Sequence, residues 1–188
     1  MNQQQPVSEA LSHSILRQAL LVLGGVLLLA IAAQAAIPLP GTPIPLTLQG
    51  PAVLLAGVLL GPRLGAMSLV LYLLLGAAGI PVFAPVAPPG LARLFGPSGG
   101  YLLAFPAAAA VAGQIVADGK SWIRMYAGLL TGLVVIYAGG LAQLMVLTGS
   151  VTAAAQLGST PFIVADLVKL AVTGLLVRRL VLPARALR

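Results

Sequence analysis

Asp166 and Lys169 stand three residues apart inside the otherwise apolar run Thr160-Pro-Phe-Ile-Val-Ala-Asp-Leu-Val-Lys-Leu170. At i and i+3 of a helix two side chains share one face. A carboxylate acceptor and an ammonium donor placed so can partly neutralise each other and still offer hydrogen bonds to a ligand. A charge at mid-bilayer costs about 2.5–3.5 kcal/mol, so charges kept in apolar helices mark either a site or an ion pair that fixes packing. Arg93 adds a second cation, in a Pro-rich connection. Its planar fork suits a carboxylate, or the side chain can snorkel to lipid phosphates. Gln49, Tyr101 and Gln143 are polar groups in apolar segments; each can hydrogen-bond a ligand or act as glue between helices. Asp166, Lys169, Arg93, Gln49, Tyr101 and Gln143 are therefore the candidate substrate-binding residues.

Other chemistries fare worse. Gly113-Gln-Ile-Val-Ala-Asp-Gly-Lys-Ser121 is like a phosphate-binding loop but has one residue too many between its glycines, and it follows an apolar helix where a strand is needed. Gly96-Pro-Ser-Gly99 is like the motif of intramembrane serine proteases. A serine needs a base to take its proton, and the single histidine, His13, lies in the N-terminal tail. A Ser98–Lys169 hydrolase is the remaining enzymatic alternative, and it lacks a third supporting group. The chain has no cysteine, and no His/Glu metal set is present. No catalytic residue, metal or cofactor is expected.

The elements that position these residues must be membrane helices. Of 188 residues, 60% are hydrophobic and 7% charged, against about 25% charged in a soluble domain. The net charge is +7, with ten Lys/Arg against Glu9, Asp118 and Asp166. The basic residues form no stripe interleaved with aromatics, so contact with anionic head groups fits better than nucleic acid. The many Gly and Pro lie in apolar runs, where neighbouring helices can satisfy the backbone groups they free.

A crossing takes about 20 helical residues. Roughly six spans emerge: Leu16–Ala36, Pro45–Leu60, Arg63–Gly79, Gly99–Ala117, Trp122–Thr148 and Pro161–Leu180. Residues 1–15 and 183–188 are tails, and 16–182 form one membrane domain. The second span is short and holds Pro51; Gly61-Pro62 separates it from the third, with Pro62 suited to a helix start. The first apolar run is longer than a signal peptide's, so an uncleaved helix is expected. Arg17, Arg63, Lys120, Arg124, Arg178, Arg179, Arg185 and Arg188 fall on one side of a six-span arrangement. Positive charge accumulates on the cytoplasmic side, so both termini are expected there. Of the outward connections, Ile37–Leu46 is Pro-rich and extended, and Ile80–Ser98 is long, as lids and binding loops often are. Ala32-x-x-x-Ala36 is a small-xxx-small pattern that permits close helix approach, within the chain or between chains.

The segments Ile37-Pro-Leu-Pro-Gly-Thr-Pro-Ile-Pro-Leu-Thr-Leu-Gln49, Leu55-Ala-Gly-Val-Leu-Leu-Gly-Pro-Arg-Leu-Gly65, Leu73-Leu-Leu-Gly-Ala-Ala-Gly-Ile-Pro-Val-Phe83 and Gly96-Pro-Ser-Gly-Gly-Tyr-Leu102 resemble, in order and spacing, those of BioY proteins. Asp166-Leu-Val-Lys169 is similar to that family's Asp-x-x-Lys in its last helix. BioY proteins are biotin-binding S components of energy-coupling factor (ECF) transporters. The resemblance implies an all-α bundle of six transmembrane helices in the bacterial inner membrane, with a biotin site near the outer surface. It implies as partners a transmembrane coupling subunit, docked on the first helix at Ala32 and Ala36, and two separate ATPase subunits. Asp166 and Lys169 carry over as ligand-binding residues, and Arg93, Gln49 and Tyr101 less firmly. Two departures stand out: the Pro-rich Ala84-Pro-Val-Ala-Pro-Pro-Gly90, where the family often has glycines, and Ala165, where it often has Gly. An S component for a different vitamin is the second reading.

Overall fold

The computed structural model describes residues 5–116 and 121–186, with side chains at 14–116 and 121–179. Ala117, Asp118, Lys120 and Arg188 lie outside the described residues, as do the side chains of His13 and Arg185.

The helices follow the apolar runs. In order they are α1 (Gln5–Gln34), α2 (Gln49–Ala77), α3 (Ala92–Phe95), α4 (Gly99–Val116), α5 (Trp122–Thr148), α6 (Val151–Gly158) and α7 (Ile163–Ala186). Between α1 and α2, strands β1 (Ala36–Ile37) and β2 (Leu46–Thr47) pair antiparallel. The expected extended loop is thus a short strap, turned at Gly41 with φ 83°. The strap also sets two boundaries: α1 stops at Gln34, two residues before the expected end, and α2 starts at Gln49, four residues after the expected Pro45.

Helix α2 is folded back on itself. Gly61 has φ 83° and ψ 171°, and Pro62 follows it. On a straight helix Gln49 and Tyr72 would be about 34 Å apart. Instead Gln49 Nε2 donates to the Tyr72 hydroxyl at 2.9 Å. The arms 49–60 and 62–77 therefore run antiparallel, close enough that a Cβ on Gly65 would collide with the Gly57 backbone. The break falls where the Gly61-Pro62 pair predicts it. Only glycine occupies that backbone region readily, at a cost of about 1–3 kcal/mol for other residues. Gly61→Ala should lower stability by about that amount, read as an earlier melting transition in detergent.

Helix α2 packs on α1 and α4, and α4 packs on α5. Gly57 and Gly113 let α2 and α4 cross at backbone distance, where any side chain would strike a carbonyl. The core holds Leu29, Val53, Leu69, Tyr72, Ala108 and Ala109 in one cluster and Leu54, Val116, Met125 and Leu129 in a second. The outer surface is also apolar: Leu20, Leu27 and Ile31 on α1, Ile123 and Val146 on α5, and Val164, Val168 and Val172 on α7 are exposed. Water would make this unfavourable; hydrocarbon does not. By length and composition four helices among the described residues can cross a bilayer, or five if the α6–α7 pair, bent by 51°, is one broken span. Helix α2 counts once there, though its arms run in opposite directions.

Three expectations need correction. Helix α6 was not anticipated. It is capped by Ser150, whose hydroxyl accepts from the Ala153 N–H, and it forms the bent entry to α7. Ala32 is 8% exposed and lies in the core beside α2, so it packs within the chain. Ala36 lies beyond the end of α1, in β1. The two alanines share no helix face.

Candidate functional site

One end of the bundle holds a pocket. Its walls are Ile44–Thr47 of the strap, Gln49 and Gly50 at the start of α2, Phe83, Ala84, Arg93, Ser98, Tyr101, Leu102 and Phe105 before and along α4, Leu133, Ile136 and Tyr137 on α5, then Gly158, Phe162, Asp166 and Lys169. It encloses about 710 Å³ between its walls, the open mouth included. Small-molecule pockets are of this kind, mostly apolar with few placed polar groups.

Asp166 and Lys169 are ion-paired at 2.5 Å, with both side chains about four-fifths buried. The Tyr137 hydroxyl donates to the other carboxylate oxygen of Asp166 at 2.7 Å. Lys169 Nζ donates to the Thr47 carbonyl at 3.0 Å, which ties α7 to the strap. The strap has a further tie, from the Thr42 hydroxyl to the Leu157 carbonyl at 2.6 Å.

Arg93, on α3, also lines the pocket and is buried at 4% exposure. Its Nε and Nη1 meet no acceptor among the described residues. Burial pushes the guanidinium below its usual range, and the nearby Tyr72 partly opposes this. A buried donor left unpaired is costly and uncommon, so this fork points to an acceptor from outside the protein.

Gln49 and Tyr101 also line the pocket. Gln49 spends its amide on Tyr72, whose hydroxyl in turn donates to the Val82 carbonyl at 2.9 Å. The Tyr101 hydroxyl donates to the Gly158 carbonyl at 2.7 Å. Tyr101 is seated on Gly140 and Phe83 on Gly76, where an added Cβ would run into either ring. Gln143 is the exception. It stands outside the pocket walls, and its Nε2 donates to the carbonyls of Leu94 at 3.0 Å and Gly96 at 2.6 Å. It braces the segment that carries Arg93.

Sequence reasoning missed Tyr137, Thr47, Phe83 and Phe162. Tyr137 and Tyr126 both lie on α5, and nothing in their local sequence separates a tyrosine in the pocket from one near a helix end. Thr47 acts through its carbonyl, which no residue type announces.

A polytopic helical bundle with a pocket of apolar walls, one charge pair and one uncommitted arginine defines a membrane protein that holds a small polar-ended ligand. The chain belongs to the BioY family, whose family model matches residues 1–185. It is 46% identical over 138 residues to the probable biotin transporter BioY of Pyrococcus horikoshii, covering 73% of this chain and 81% of that one. It is 37% identical over 160 residues to the biotin transporter BioY of Thermotoga maritima, covering 85% and 94%. Its fold is similar to the crystal structure of the S-component for biotin from an ECF-type ABC transporter, with a TM-score of 0.71, 27% identity, and 96% and 94% of the two chains covered.

Proposed function

We propose that this protein is the biotin-binding S component of an ECF-type vitamin transporter, and that Arg93 and the Asp166–Lys169 pair hold opposite ends of the ligand. The observation that carries the reading is the contrast between the two cations. Lys169 is already engaged by Asp166 and the Thr47 carbonyl. Arg93 is buried with two donor nitrogens uncommitted. Biotin has a carboxylate at one end and a cyclic urea at the other, joined by an apolar chain and bicycle. Its carboxylate suits the Arg93 fork. Its urea N–H groups suit the lone pairs left on the Asp166 carboxylate. Leu102, Phe105, Ile136 and Phe162 suit the apolar middle.

The antiparallel arms of α2 favour six spans, because the two arms then count separately beside α1, α4, α5 and the α6–α7 pair. The arginines of the described residues favour cytoplasmic ends: Arg17, Arg63, Arg178 and Arg179 fall on one side of that arrangement. The pocket then faces outward, and delivery inward falls to a coupling subunit and two ATPase subunits. The cell membrane, the inner one in a double-membraned bacterium, is the matching location.

Calorimetric titration of the detergent-purified protein tests the ligand, with biotin, thiamine and riboflavin compared. Biotin should bind, and neither of the others should displace it. Displacement of biotin by thiamine or riboflavin would favour the reading as an S component for another vitamin.

A further inference from the structure

Tyr137 has no part in the ligand contacts proposed above, yet its hydroxyl is 2.7 Å from Asp166 Oδ2. Asp166 Oδ1 is taken by Lys169. A carboxylate has about four acceptor positions. With one used on each oxygen, the plane of the group is fixed, and one position on each oxygen remains for other donors. The tyrosine is itself held: its ring meets the edge of Tyr101 at 6.3 Å and 75°, and the Tyr101 hydroxyl is anchored on the Gly158 carbonyl. An aspartate on a helix face otherwise turns about its side-chain bonds.

We infer that Tyr137 is a positioning residue: its hydroxyl sets the orientation in which Asp166 meets the polar, N–H-bearing end of the ligand. The inference rests on the biotin reading above. The acceptor pair presented by Asp166 is selective only while its plane is fixed. Freed of Tyr137, the carboxylate can turn toward Lys169, and a ligand must then spend binding energy to reorient it.

Biotin titrations of the full-length protein test this with Tyr137→Phe, Asp166→Asn, Arg93→Met and the doubles that pair Tyr137→Phe with each of the other two. The phenylalanine keeps the ring contact with Tyr101 and removes only the hydroxyl. Tyr137→Phe should weaken binding about tenfold or more, the scale of a hydrogen bond to a charged group. Tyr137→Phe/Asp166→Asn should bind within about twofold of Asp166→Asn alone, because the hydroxyl then has no carboxylate to orient. With Arg93→Met, which removes the proposed contact to the ligand's other end, the two losses should instead multiply. A tyrosine that only supports the bundle would multiply with both. That result, or wild-type affinity in Tyr137→Phe, overturns the positioning role and leaves biotin as the ligand. Failure of the wild type to bind biotin overturns the biotin reading and the positioning role with it.

Discussion

Lys169→Ala is expected to lose measurable biotin binding and to melt earlier than the wild type, whereas Asp166→Asn/Lys169→Met should recover the melting temperature without recovering the ligand. The asymmetry follows from what each change leaves behind. Removing one partner of a buried ion pair strands the other charge, at about 3–5 kcal/mol in a fully buried pair. Here both side chains keep 18–19% exposure, so the cost should fall toward the lower end. Replacing both by neutral groups removes the stranded charge, and such swaps are often neutral or stabilising. Binding behaves differently, because the pair also shapes the pocket. Lys169 holds the strap through the Thr47 carbonyl, and Asp166 offers the remaining acceptors. Melting curves and biotin titrations on the three proteins separate the two effects. Wild-type affinity in the double variant would show that the ligand does not use this pair.

Much of this arrangement is legible in the residues themselves. Gly61-Pro62 marks the fold-back because a left-handed glycine before a proline can hardly continue a helix. Asp166 and Lys169 stand out because apolar helices tolerate few charges, and their spacing alone places them on one face. The pocket brings them together with Arg93, Gln49 and Tyr101, residues up to 120 positions away in the chain. What stays illegible is whatever depends on facing. Alanine suits a core, a lipid face or a protein contact equally, so Ala32 could be placed only once α2 was seen against it. Gln143 and Gln49 are the same residue type in similar surroundings, yet one braces a loop and the other lines the pocket. Helix α6 is too short for a crossing and carries no charge, and the two-residue strands β1 and β2 are shorter than any periodic signal.

Arg93→Met should move stability and binding in opposite directions. In the protein alone the guanidinium is desolvated, with Nε and Nη1 lacking acceptors, and burying unpaired polar groups destabilises. Methionine fills similar space with an adaptable apolar chain. The variant should therefore melt no earlier than the wild type, and relief of desolvation should raise its transition. Binding should fall by about thirtyfold or more, since removing one partner of a buried, hydrogen-bonded charge contact costs about 2–5 kcal/mol. The amide of biotin sharpens the test, because it keeps the urea and the apolar chain and loses the carboxylate charge. Wild type should prefer biotin to its amide strongly, and Arg93→Met should barely distinguish them. Tyr137→Phe, altered beside Asp166, should keep the wild-type preference while binding both more weakly. If Arg93→Met still prefers the acid and Tyr137→Phe does not, the ligand lies in the pocket the other way round, with its carboxylate at Lys169 and its urea at Arg93.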